Sequence, residues 1–161
     1  LLTMTAPYKY QSEPWSKICV QEDWSIAALD FLGGRCGITG EFQYSTLGIH
    51  ILTGIIARVS KMTTVDFANK YLFEPLMIAP RKIYVAPDAE AHKAFTVGKT
   101  PKGNIWFSDE KGVGAAGYGL CLSAEEMSKI GLLCVKKGVF NNRRIVSEKW
   151  LAESTAVEVL Y

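Results

Sequence analysis

The segment Phe42-Gln43-Tyr44-Ser45-Thr46-Leu47-Gly48 runs straight into a long apolar stretch, and this junction constrains the fold more than any other part of the chain. Leu47, Ile51 and Ile55 recur at helical spacing and predict a helix over about 44–59 with a buried stripe. On the same spacing Tyr44 is expected to cap that stripe, its phenol turned into a crevice between domains or chains rather than to water. A phenol placed there can shuttle a proton. It can equally be a core tyrosine whose hydroxyl is satisfied by a neighbour, and spacing alone leaves both readings open.

Further helices are predicted at about 23–32, 64–74, 124–137 and 148–155. Thr63 or Thr64 caps the second of these, with Asp66 in its first turn and Pro75 just beyond its end. Ser123 with Glu126 reads as a capping box, Gly138 ends that helix, and Ser147 caps the last one. Residues 81–86 and 93–97 are β-branched or aromatic enough for short strands, and Asn141-Asn142 makes a turn between extended segments. Gly112 to Gly119 is a glycine-rich loop whose backbone can approach a neighbour closely. The expectation is one domain over 1–161, mainly α with a small antiparallel β element.

Composition narrows the function. With 161 residues, 48% of them hydrophobic, the chain can bury one core. Its net charge is +2, and the basic residues are scattered apart from Lys136-Lys137 and Arg143-Arg144, which argues against nucleic acid. No apolar run is long enough for a membrane span. Cys19, Cys36, Cys121 and Cys134 show no metal-ligand spacing and no secreted disulfide pattern, which leans towards a reducing, cytoplasmic setting. Cys134 lies in an apolar helical stretch and is expected in the core. The glycine loop lacks the strand context of a nucleotide fingerprint, so no cofactor is expected. His50 and His92 are not placed to partner Tyr44 and read as structural or exposed.

Five segments occur in a telling order. They are Leu1-Leu2-Thr3-Met4-Thr5, Phe42-x-Tyr44-Ser45-x-x-Gly48, and Leu72-Phe73-Glu74-Pro75-Leu76. After these come Gly117-x-Gly119-Leu120 with Ser123-Ala124-Glu125-Glu126-Met127, and Asn142-Arg143-Arg144-Ile145-Val146-Ser147-Glu148-x-Trp150. The series resembles the serine β-lactamase-like hydrolases. That family includes class C β-lactamases, penicillin-binding proteins, and esterases and amide hydrolases related to 6-aminohexanoate-dimer hydrolase. It is similar over nearly the whole chain, least so from Arg81 to Asn104.

The resemblance implies the helical subdomain of the β-lactamase/transpeptidase-like fold and acyl transfer through a serine ester on a small-molecule or peptide-like amide or ester. Such enzymes use a Ser-x-x-Lys nucleophile, a Tyr-x-Asn on the helical part and a late strand motif. Tyr44 matches the second element and is the expected proton carrier. Thr46 stands where relatives have Asn and is the candidate substrate contact, with one hydroxyl in place of an amide. The other two elements are expected outside residues 1–161, on a longer parent whose sheet domain packs against this part. Ser108-Asp109-Glu110-Lys111 and Lys99-Thr100-Pro101 match parts of these motifs literally. The first lacks an apolar helix and the second has proline where glycine belongs, so both are discounted. Ser45 has no lysine three positions on and reads as a helix cap. The alternatives are a non-catalytic penicillin-binding or sensor-like relative, and a helical protein-interaction domain.

Overall fold

The longest helix, α3 (Thr46–Ser60), is the element on which the others are assembled. The computed structural model describes residues 1–33, 41–99, 101 and 103–156. Leu47 and Ile51 are buried as expected, but Ile55 is 47% exposed. The buried face runs through Leu47, His50, Ile51 and Gly54, because 3.6 residues per turn bring the seventh position, not the eighth, back under Leu47. Gly54 costs helix propensity of about 1 kcal/mol relative to alanine. In exchange it lets α2 (Trp24–Leu29) come close, since a Cβ there would collide with the Ser25 side chain. Asp23 caps α2 by accepting from Ile26 N–H at 2.9 Å, and Arg58 of α3 pairs with the same carboxylate at 3.1 Å.

Before α2 lies the short α1 (Trp15–Ile18). After α3, the helix α4 (Thr64–Ala68) is capped by Thr63, which accepts from Asp66 N–H at 3.0 Å. The expected single helix over 64–74 then widens into a π-type turn at Asn69–Phe73. That turn carries the Asn69 side chain to the Arg81 backbone, accepting from its N–H at 2.7 Å and donating to its carbonyl at 2.9 Å.

Among the described residues, two strand pairs complete the fold. β1 (Lys82–Tyr84) and β2 (Ile105–Phe107) run parallel with Ile83 opposite Trp106, a pairing that requires a crossover. The crossover contains α5 (Ala89–Thr96), which replaces the strand expected at 93–97. Asp88 caps α5 by accepting from Ala91 N–H at 2.7 Å, its alanines favour helix, and Phe95 packs on Phe107 at 4.6 Å. The antiparallel element is β3 (Val139–Phe140) with β4 (Arg143–Arg144), joined at Asn141-Asn142. Both asparagines have positive φ, 46° and 59°, as a two-residue hairpin turn demands.

The flanking helices are α6 (Ala124–Val135), with the expected capping box, and α7 (Glu148–Ser154), capped by Ser147. Cys134 is exposed, contrary to expectation: α6 packs inward through Leu133 and Ile130, and residue 134 turns away from that face. One core cluster joins Ile18, Trp24, Leu47, Ile51, Phe95 and Phe107. A second joins Phe73, Leu76, Ile78 and Leu133. Among the described residues no helix is long and apolar enough to cross a membrane.

Arg81 ties the second cluster to α6. Its side chain is fully buried, pairs with Glu126 at 2.5 Å and lies over the Phe73 ring. The hydrogen bond from Arg81 holds the Glu126 carboxyl below its ordinary value, helped by Ser123 N–H. Removing one partner of such a pair leaves a buried charge uncompensated, which costs about 3–5 kcal/mol. Glu126→Gln keeps the bond to Ser123 N–H and removes only the charge, so denaturant unfolding should show a loss approaching this scale. A depressed carboxyl contributes stability above its unfolded pKa and loses it as pH falls through the folded one. The difference between wild type and Glu126→Gln should therefore be full at neutral pH and shrink on acidification below about 4.3, the ordinary glutamate value.

Candidate active site at the mouth of the long helix

Ser45 begins the site. It is fully buried, its backbone is extended (φ −149°, ψ 111°), and its hydroxyl accepts from Gly48 N–H at 2.8 Å. It is a cap, as its sequence context predicted. Because the helix starts at Thr46, Tyr44 lies before the cap and does not follow helical spacing. Its side chain is 61% exposed, so the expected position over the buried stripe is corrected: the phenol faces out from the mouth of α3.

The segment carrying Tyr44 is held on both sides. Gln43 donates its backbone N–H to Met4 O at 2.7 Å and its side-chain amide to Tyr10 O at 3.2 Å. Beyond Tyr44, the Ser45 hydroxyl meets the Tyr10 hydroxyl at 2.6 Å, and Glu13 accepts from Leu47 N–H at 3.1 Å. Glu13 also accepts from Trp15 Nε1–H at 3.1 Å and Tyr10 O–H at 3.3 Å. A carboxylate at this position meets the free amides and the positive end of the helix dipole. Burial, reinforced by Glu13, pushes the Tyr10 phenol up to about 12, so it stays protonated.

Thr46 is half-buried beside the glycine loop. A Cβ on Gly117 would collide with the Thr46 methyl, so only glycine permits this approach. The structure thus brings Thr46 against the glycine loop, with Tyr44 two residues before it on the exposed side of the same junction. The next loop residue, Tyr118, points inward, its hydroxyl 3.3 Å from His92 Nε2 and bonded to the Cys19 thiol.

Cys19 and His92 line a cleft of about 460 Å³ with Trp24, Phe107 and Asp109. His92 stacks on Trp24 at 5.5 Å, and burial holds its pKa below the usual histidine value. His50 is fully buried between Trp15 and Trp24, and burial pushes it down to about 4, so it is a neutral core residue. Asp109 is 1% exposed and accepts from the N–H groups of Trp24, Lys111 and Val113 at 2.9, 3.0 and 2.8 Å. Burial raises its pKa against these bonds, and its role is to fold the loop.

The literal Ser-x-x-Lys does not assemble. Ser108 is buried and donates to Trp106 O at 3.1 Å, while Lys111 pairs with Glu22 at the surface. Of the Lys99-Thr100 match, Thr100 lies outside the described residues, as does Cys36. Trp106 donates its Nε1–H to Ala115 O at 2.8 Å and packs near Phe73. Sequence reasoning missed Tyr10 and Glu13. They act from 35 and 34 residues away, respectively, and no local pattern marks such a cap.

This geometry is accompanied by a distant likeness to a hydrolase. No family model matches the chain. The chain is 28% identical over 115 residues to 6-aminohexanoate-dimer hydrolase of Paenarthrobacter ureafaciens, an alignment that covers 71% of this chain and 24% of that protein. The chain therefore spans about a quarter of the length of this relative.

The cysteines provide a direct check of the local geometry. Cys19, Cys121 and Cys134 are free thiols. Burial pushes Cys19 up to about 11, so its thiolate fraction at pH 8 is small, whereas Cys134 is open to solvent. Limited iodoacetamide labelling of the folded protein, read by peptide mass spectrometry, should modify Cys134 at least tenfold faster than Cys19. Equal rates would show that the Cys19–Tyr118–His92 cluster is open.

Proposed function

We propose that this chain is the helical part of a β-lactamase-like serine hydrolase that cleaves an amide or ester through an acyl-enzyme. The carrying observation is an exposed tyrosine, Tyr44, at the mouth of α3, whose chain neighbours Gln43 and Ser45 are both fixed by hydrogen bonds and are followed by Thr46 against the glycine loop. The likeness to 6-aminohexanoate-dimer hydrolase supports this reading, since the aligned protein acts by hydrolysis. The nucleophilic serine and its lysine are assigned to a part of the parent outside these residues.

In this reading the serine oxygen bonds to the substrate carbonyl carbon, and its proton passes through the Tyr44 phenol to the leaving nitrogen or oxygen as the C–N or C–O bond breaks. Water then adds to the ester carbonyl, gives a proton back along the same route, and releases the acid. Thr46 contacts the substrate or the lysine with its hydroxyl. A threonine in place of the family's asparagine also supports a second reading, a non-catalytic penicillin-binding or sensor-like relative, which would be acylated but would not turn over.

The test is single-turnover kinetics on the full-length protein. Tyr44→Phe should slow acylation or deacylation by about 10²–10⁴-fold, the contribution expected of a general acid–base group. A tyrosine that only packs would lose one hydrogen bond, about 1 kcal/mol of stability, with little change in rate. A Tyr44→Phe rate within threefold of wild type removes the catalytic assignment. Thr46→Asn should leave activity intact or improve it on amides, and the chain over 1–161 alone should hydrolyse neither β-lactams nor activated esters above background.

A further inference from the structure

We infer that Glu13, acting with Tyr10, is the positioning residue that sets the Tyr44–Thr46 segment for catalysis; this rests on the reading of Tyr44 as the proton carrier. Tyr44 and Thr46 flank Ser45, and each bond that fixes Ser45 fixes them. The Tyr10 hydroxyl spends its single proton on Glu13 Oε1, which leaves its oxygen to accept from the Ser45 hydroxyl, and Ser45 Oγ in turn accepts from Gly48 N–H. Glu13 also accepts from Leu47 N–H and from Trp15 Nε1–H. The network therefore ends on a carboxyl group that takes three donors, two on Oε1 and one on Oε2.

Its geometry separates it from an ordinary helix cap. The residues it ties together are 34 and 35 apart in sequence, and the same Tyr10 receives the Gln43 amide on its carbonyl. Tyr10 thus holds the segment from both ends, at Gln43 and at Ser45, with the exposed Tyr44 between them. A glutamine at position 13 has one acceptor oxygen, and its NH2 group must stand either at the Oε1 position, where Tyr10 and Leu47 donate, or at the Oε2 position, where Trp15 donates. The Ser45 clamp would loosen while the body of α3, held by Leu47 and Ile51 in the core, stays folded.

The experiment compares Glu13→Gln, Tyr10→Phe, Tyr44→Phe and Glu126→Gln in the full-length protein by single-turnover and steady-state kinetics, with thermal melts on each. Misplacement of a reacting group by about 1 Å costs on the order of 10²-fold. Glu13→Gln is expected to lower kcat about 10- to 100-fold with KM within threefold, and Tyr10→Phe to lower it in the same direction. Glu126→Gln, which breaks an ion pair at α6, should lower the melting temperature at least as much and leave kcat within twofold. If Glu13→Gln fails to fold, Tyr10→Phe decides by the same criteria. A kcat within threefold of wild type for Glu13→Gln and Tyr10→Phe, with Tyr44→Phe strongly impaired, overturns the positioning role and leaves the proposed function standing. Equal kcat losses in Glu13→Gln and Glu126→Gln overturn it too, as a general effect of stability. Wild-type rates in all three of Glu13→Gln, Tyr10→Phe and Tyr44→Phe overturn both this inference and the reading beneath it.

Discussion

The start of α3 is where the fold and the candidate chemistry meet. A helix leaves its first amides unpaired, and here two of them are answered by side chains, Gly48 N–H by Ser45 and Leu47 N–H by Glu13. Glu13 belongs to the segment that leads into α1, so the capping bond also fastens the N-terminal region to the central helix. The extended stretch carrying Gln43 and Tyr44 is fastened as well through Met4 and Tyr10. The apolar packing beneath depends on the same placement, because Leu47 is both the residue that donates to Glu13 and a member of the main core cluster.

Around this point the chain divides its polar work between a surface site and buried supports. His50, Asp109 and Arg81 are all buried, and each is handled differently. His50 is held neutral, Asp109 is surrounded by backbone N–H groups, and Arg81 is paired with Glu126. The groups that could meet a substrate, Tyr44 and Thr46, are instead exposed or half-buried and are held by the backbone on either side of them.

Much of the helical framework was legible in the sequence because caps are local. Ser45, Thr63, Ser123 and Ser147 announce helix starts within four residues of the amides they satisfy, and the structure uses all four. What was not legible depended on contacts distant in sequence or on faces narrower than a helix turn. Thr96 and Val97 suggested a strand, but Asp88 and the alanines after it made a helix whose anchor is Phe95. Cys134 looked apolar by its neighbours, yet it lies on the side of α6 away from Leu133. Tyr44 was placed on a helical wheel to which it does not belong, since the helix begins after Ser45. The Glu13 and Tyr10 contacts had no sequence signal at all.

The central claim is that the Tyr44 phenol stands next to the attacking serine. Its most direct measurement is a crystal structure of the full-length protein acylated on that serine by a slowly released amide or ester analogue. The account predicts Tyr44 Oη within hydrogen-bond reach of the serine oxygen, about 2.6–3.2 Å, or joined to it through one water. A serine oxygen more than about 6 Å from Tyr44 Oη with no water between them, beyond the reach of direct or single-water proton transfer, would contradict it.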